Sequence, residues 1–154
     1  MDFRIKGLDP TPFAPLFALS DEALAGRQAL RKVSDSKPGF PCRITLRDVE
    51  PGETVLLLNY EHLPVDSPYR SRHAIYVSAA AEPFDGVNEI APALRERLLA
   101  IRAFDDTGLM LDADIAEGRD AAPLVRRLLG IPGVSYLHAH YAKRGCYAGR
   151  IERA

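Results

Sequence analysis

Short apolar segments follow one another in pairs along this chain, and a tight-turn sequence separates the two members of a pair. Three such turns are Pro51-Gly52, Asp105-Asp106-Thr107-Gly108 and Ala142-Lys143-Arg144-Gly145, in which proline presets the backbone or glycine accepts a positive φ. Apolar segments that come in neighbouring pairs, rather than alternating with long helices, are typical of antiparallel sheets. We therefore predict an α+β fold: a mostly antiparallel sheet with a few short helices, which form a single layer packed on or beside the sheet.

The predicted strands and helices are all short, because prolines and glycines interrupt the chain frequently. Ser20 is a helix N-cap signal, and apolar spacing predicts further helices over Ala91–Arg97 and Ala121–Leu129. The run of residues 54–58 is apolar at nearly every position, which is typical of a central strand buried on both faces. Strands are predicted over Phe3–Leu8, Arg43–Val49, Glu53–Tyr60, His73–Val77, 99–104, 109–116, Val134–Tyr141 and Cys146–Arg153.

The length and composition of the chain restrict its class and its partners. A chain of 154 residues predicts one domain over residues 1–154, since domains most often have roughly 100–150 residues. Its 20 basic and 21 acidic residues give a net charge of −1, so no global positive field would hold nucleic acid or an anionic membrane. No stretch approaches the roughly 20 apolar residues of a membrane helix, and Met1–Lys6 lacks an apolar signal core. We expect a cytoplasmic protein without nucleic-acid or membrane partners.

His138-Ala139-His140 is a candidate metal-ligand pair. Residues two apart on a strand point to the same face, so both imidazoles would project together. Zinc and iron accept such adjacent imidazole ligands, but a complete site needs a third or fourth ligand. The sequence offers four candidates for that ligand, namely His62, His73, Glu61 and Cys146.

Cys146 is a candidate nucleophile, because His140, Lys143 and Arg144 lie close to it in sequence and could activate its thiol. The strand register decides this assignment. If Tyr141 pairs with Cys146, the thiol lies away from both histidines, whereas pairing of His140 with Cys146 places them on one face. Cysteine is also typical of buried cores, where it packs as a small apolar residue.

Five arginines lie within the predicted strands or near the ends of these strands, and they form a candidate anion site. Guanidinium groups recognise carboxylates and phosphates through two parallel hydrogen bonds. If several converge, they form a pocket for a small anionic ligand beside the C-terminal hairpin, and otherwise each forms an ion pair with one of the many acids. The five residues are Arg43, Arg70, Arg72, Arg144 and Arg150.

The C-terminal sequence His140–Arg153 carries a resemblance to a known family. Together with Cys42-Arg43, Glu50-Pro51-Gly52-Glu53, Pro68-Tyr69-Arg70 and Arg102-Ala103-Phe104-Asp105, it resembles small bacterial proteins grouped as domain of unknown function 1203. The resemblance extends over nearly the whole chain. It implies a bacterial protein with a single domain, and it implies no activity.

Three functional hypotheses follow from the residues. The sequence contains no glycine-rich phosphate loop, no Gly-x-Ser-x-Gly elbow, no His-Glu-x-x-His and no Cys-x-x-Cys pair. The first hypothesis is that the protein binds a small anionic ligand in the arginine-lined pocket. The second is an enzyme that uses Cys146 with His138 or His140, or a metal held by these histidines. The third is a protein-interaction module without a small-molecule site.

Overall fold

Nine strands are found in residues 1–80 and 82–154, the part of the chain described by a computed structural model. Three α-helices accompany them, α1 (Asp21–Ala25), α2 (Pro92–Arg95) and α3 (Ala121–Leu129), together with 3₁₀ turns at Ala14–Ala18 and Gly118–Asp120. The strands are β1 (Phe3–Lys6), β2 (Ala29–Val33), β3 (Thr54–Leu63), β4 (Ser71–Ser78), β5 (Asp85–Val87), β6 (Leu98–Phe104), β7 (Met110–Glu117), β8 (Tyr136–Tyr141) and β9 (Tyr147–Arg153).

These strands form two antiparallel sheets. The larger sheet has six strands in the order β5-β1-β9-β8-β6-β7, and the smaller sheet has three in the order β2-β3-β4. Every strand pair within the two sheets is antiparallel, and the helices are few and short. The predicted α+β class is confirmed, with the sheet divided in two.

Strand β8 lies near the middle of the larger sheet, and all six of its residues are buried. Leu137, Ala139 and Tyr141 belong to the apolar core that includes Val125 and Leu128 of α3. Because side chains alternate along a strand, His138 and His140 lie on the opposite face. Burial of both faces explains why β8 has no exposed residue, and it places two imidazoles inside the protein.

The predicted hairpin of Arg43–Val49 with Glu53–Tyr60 is wrong, because β3 pairs with β2 and β4 instead. Residues 42–48 fold back on themselves: the Leu46 N–H donates to the Cys42 carbonyl at 2.9 Å, and Leu46 has a φ of 50°. The Arg43 side chain is 2% exposed and donates hydrogen bonds to the Pro41 and Tyr147 carbonyls and to the Cys146 sulfur. The alternating sequence looks like a strand, but its backbone is hydrogen-bonded to Tyr76, Phe84 and Ala93 instead of to β3.

Most of the other local predictions are confirmed. Ser20 caps α1 by accepting a hydrogen bond from the Ala23 N–H at 3.1 Å. The β6–β7 hairpin turns at Gly108, where φ is 86°, and Asp105 Oδ1 accepts the Leu109 N–H at 3.0 Å. None of the helices in the described residues is long and apolar enough to cross a membrane.

Candidate functional site

Three histidines from the two sheets meet inside the protein. His138 and His140 project from β8 of the larger sheet, and His62 projects from β3 of the smaller sheet. One ring nitrogen of each histidine lies within 4.8 Å of the others. The structure thus brings together the two histidines predicted as metal ligands and one of the four candidates for the third ligand.

Each of these imidazoles has a buried ring nitrogen without a hydrogen-bond partner in the part of the chain that the structure describes. The atoms are Nδ1 of His62, Nδ1 of His138 and Nε2 of His140. His138 and His140 are only 2% and 1% exposed. Buried polar atoms are nearly always hydrogen-bonded, because leaving one unpaired costs on the order of 1–3 kcal/mol. An unpaired nitrogen on each member of this histidine cluster therefore indicates a site for a shared ligand.

The main chain fixes the proton of His140. Its Nδ1 lies 2.9 Å from the Gly145 carbonyl oxygen, and a carbonyl can only accept a hydrogen bond. Nδ1 must therefore carry the proton, which leaves the Nε2 lone pair free. Gly145 has a φ of 79° in the β8–β9 turn, a conformation that favours glycine. A backbone carbonyl that orients an imidazole in this way is typical of metal-binding histidines.

Aromatic rings surround the three imidazoles. Tyr147 stacks on His62 with a centroid distance of 5.3 Å and an interplanar angle of 10°. The same ring meets His138 edge-on at 5.0 Å and His140 at 6.1 Å. Phe104 packs against His138 from another side, at 5.5 Å. This shell excludes water from much of the site and lowers its effective polarity.

Burial keeps the three imidazoles uncharged at neutral pH. It lowers the pKa of His138 to about 2 and that of His140 to about 3, because the charged ring would lose its hydration. It also lowers the pKa of His62 to about 4. Positive charge on neighbouring side chains, including Arg102, contributes in the same direction. The neutral ring is the form that binds metal ions.

The three other candidate ligands lie outside this set. His73 is exposed on β4, although it is near enough for its charge to lower the pKa values of His62 and His140. Glu61 accepts a hydrogen bond from Arg70 Nη2 at 3.0 Å.

Cys146 lies on the other face of the larger sheet. The Tyr141 N–H donates to the Cys146 carbonyl at 3.0 Å, while His140 pairs with Tyr147. This is the register that separates the thiol from the histidines, so the structure does not bring Cys146 and His140 together. Instead the Cys146 sulfur accepts a hydrogen bond from Arg43 Nη2 at 3.1 Å.

A cavity of about 970 Å³ lies beside the C-terminal hairpin, and two of the five candidate arginines line it. Arg43 and Arg144 contribute to its wall together with Arg97, Tyr141, Lys143 and Cys146. The remaining three arginines have partners elsewhere. Arg70 pairs with Glu61, Arg72 donates to Asn59, and Arg150 pairs with Glu152 at 2.6 Å.

Two residues of the candidate sites were not found by sequence reasoning. Arg102 pairs with His138 across β6 and β8, and the Tyr141 hydroxyl is buried without a partner among the described residues. Both occupy predicted strands, so an assignment of strand order would have revealed their neighbours. Residue types near the strand ends, taken alone, do not reveal these neighbours.

Comparison with known proteins gives a family and no activity. A family model described as "Protein of unknown function (DUF1203)" matches residues 39–153, a range that contains all three clustered histidines and most of the residues that line the hairpin cavity. No curated protein and no solved structure matches the chain.

Proposed function

The chain belongs to the DUF1203 family, whose description states no activity, and we propose from the site that it binds a divalent transition metal through His62, His138 and His140. One observation carries this proposal: three histidines that each offer a ring nitrogen within 4.8 Å of the others also each have a buried ring nitrogen without a partner in the described chain. A metal ion would satisfy all three at once.

The ligand set favours a metal of the zinc type. Imidazole binds zinc, copper, nickel and iron, and the absence of a carboxylate or thiolate from the cluster in the described residues is unlike the usual mononuclear iron set. Nitrogens bound to tetrahedral zinc lie roughly 3.4 Å apart, so small rotations of the rings would close the site. Three protein ligands leave one coordination position for water or substrate, as in catalytic zinc centres, where the metal activates that water.

Metal content provides the direct test. Protein prepared without a histidine tag, stripped with EDTA and then dialysed against zinc chloride should retain one zinc ion per chain. His138→Gln and His140→Gln should each lower the affinity at least 100-fold, because each removes a ligand but keeps a similar volume. Circular dichroism at neutral pH checks that the variants remain folded.

His73→Ala is the matched control, since it removes the fourth histidine of the chain from an exposed position outside the cluster. We expect it to retain the zinc with little change in affinity. A wild-type protein that holds no zinc, or an equal loss in His73→Ala and His140→Gln, would contradict the proposal.

A second proposal is that a small anion binds in the hairpin cavity, which keeps the first sequence hypothesis with two of its five arginines, Arg43 and Arg144. Lys143 and Arg144 are exposed at its wall, and neither forms an ion pair with any residue that the structure describes. The Tyr141 hydroxyl is buried, and burial raises its pKa to about 12, so it remains a hydrogen-bond donor. These donors support an anion between Tyr141 and the turn.

Titration calorimetry with inorganic phosphate tests this second proposal. Tyr141→Phe and Arg144→Gln should each weaken binding about tenfold, and added salt should weaken it further. Arg119→Gln removes an exposed arginine that does not line the cavity and should leave binding unchanged. If phosphate gives no heat, or if all three variants bind it equally, the cavity is not an anion site.

The source of the protein and its cellular location are also matters of proposal. We propose that the protein is bacterial and works in the cytoplasm, which is supported by the resemblance of its sequence and by its two free cysteines, Cys42 and Cys146. If neither zinc nor phosphate binds, the protein-interaction hypothesis becomes the leading one.

A further inference from the structure

Arg102 lies directly beside the three histidines. It is the cross-strand neighbour of His138, and residues that face each other on adjacent antiparallel strands project to the same side of the sheet. Its positive charge is close enough to lower the pKa values of all three imidazoles. The guanidinium therefore belongs to the surroundings of the proposed metal.

The Arg102 side chain has no hydrogen-bond or ion-pair partner in the described chain, although it is half-buried. Burial lowers its pKa, and no neighbouring carboxylate opposes that effect. Arg97 provides a contrast within the same protein: it is also half-buried, but its two Nη atoms donate to Asp48 at 2.8 and 2.6 Å. An arginine withdrawn from water normally has such an acceptor.

The charge of the occupied site would be strongly positive. Three neutral imidazoles leave the charge of a divalent ion uncompensated, and Arg102 adds another positive charge. Arg150 lies on the other side of His138, but Glu152 pairs with it at 2.6 Å. The aromatic shell around the site offers no compensating anion, and the cluster contains no carboxylate among the described residues.

We infer that the free coordination position takes a small oxyanion, a carboxylate or a phosphate or phosphonate group, which Arg102 holds in place. One oxygen binds the metal, and a second oxygen accepts hydrogen bonds from the planar guanidinium, the geometry for which arginine is suited. The inference rests on the proposed metal site and adds the substrate class to it. Binding of this anion would give the unpaired arginine its acceptor.

Cobalt-substituted protein provides the test, because the visible absorption of Co²⁺ changes when its fourth ligand changes. Addition of acetate or methylphosphonate to the Co²⁺-loaded wild type should shift the spectrum with a saturable dependence on concentration. Arg102→Gln should bind each anion at least tenfold more weakly, while its affinity for Co²⁺ stays the same or increases. The anion affinity of Arg102→Lys should lie between those of the wild type and Arg102→Gln, since lysine keeps the charge but lacks the planar group.

Arg119→Gln is the matched control, because it removes an exposed arginine that belongs neither to the histidine cluster nor to the lining of the hairpin cavity. Its cobalt spectrum should respond to anions as the wild type does. If the wild type binds no Co²⁺, the proposed metal site itself is wrong. If Co²⁺ binds but neither anion changes its spectrum, or if Arg102→Gln binds the anions as tightly as Arg119→Gln does, the metal site stands and the inferred role of Arg102 is wrong.

Discussion

Lowering the pH from 7.5 to 5 will destabilise the metal-free protein by about 4 kcal/mol, through His138 and His140 alone. Both are buried, and their folded-state pKa values of about 2 and about 3 lie far below the ordinary value of 6.5. The unfolded chain therefore takes up protons below pH 6.5 while the folded chain does not. The contribution of these histidines to the free energy of unfolding is fully present above pH 6.5. At pH 5 it is smaller by about 2 kcal/mol per histidine.

Urea denaturation in EDTA at the two pH values measures this effect. The His138→Gln, His140→Gln double variant is the control, because glutamine does not titrate. Its decrease in the free energy of unfolding between pH 7.5 and pH 5 should be about 4 kcal/mol smaller than that of the wild type. Buried carboxylates do not interfere: Asp48, whose pKa is held low by Arg97 in spite of its burial, titrates below this window. Equal pH dependence in the wild type and the double variant would show that the two imidazoles are not buried in the neutral form.

Saturation with zinc will raise the melting temperature by roughly 8–16 °C. A ligand that binds only the folded state at about 1,000 times its dissociation constant stabilises that state by about 4 kcal/mol, and each kcal/mol corresponds to roughly 2–4 °C for a chain of this size. Differential scanning fluorimetry with and without zinc measures the shift. His73→Ala should show the same increase in melting temperature with zinc.

His140→Gln should lose nearly all of this shift, since its Nε2 is the lone pair that the Gly145 hydrogen bond leaves free. The comparison is made within each variant, with and without zinc, so a lower intrinsic stability does not affect it. If zinc raises the melting temperature of His140→Gln as much as that of the wild type, the ion binds elsewhere on the protein.

Local sequence was sufficient for the parts of the fold that local forces determine. The turns at Gly108 and Gly145 require positive φ, which only a few residues tolerate, so the hairpins that they close were predictable. The path of the segment after Cys42 was not predictable, because its hydrogen bonds are to distant residues: the Arg43 N–H donates to the Tyr76 carbonyl at 2.9 Å, and the Arg43 guanidinium donates to the Tyr147 carbonyl at 2.7 Å. A contact so distant in sequence has no signature in the local pattern.

The same distinction applies to the candidate site. The period of a strand was enough to place His138 and His140 on one face. His62 could only be named as one of four possible partners, because nothing in a single strand determines which strand of a second sheet will face it. Arg102 was missed for a related reason: its role depends on the pairing of β6 with β8, and strand order is a property of the whole fold.

The position of His62 on the smaller sheet has a consequence for the folding of the chain. A metal ion shared by residues 62 and 138 joins two positions that are far apart in the sequence. Unlike a disulfide, this link is lost when the chain unfolds, so it stabilises the folded state by binding to it rather than by restricting the unfolded chain. The bond would be reversible and would depend on the supply of the ion. The concentration of free metal would then determine how strongly the two sheets are held together.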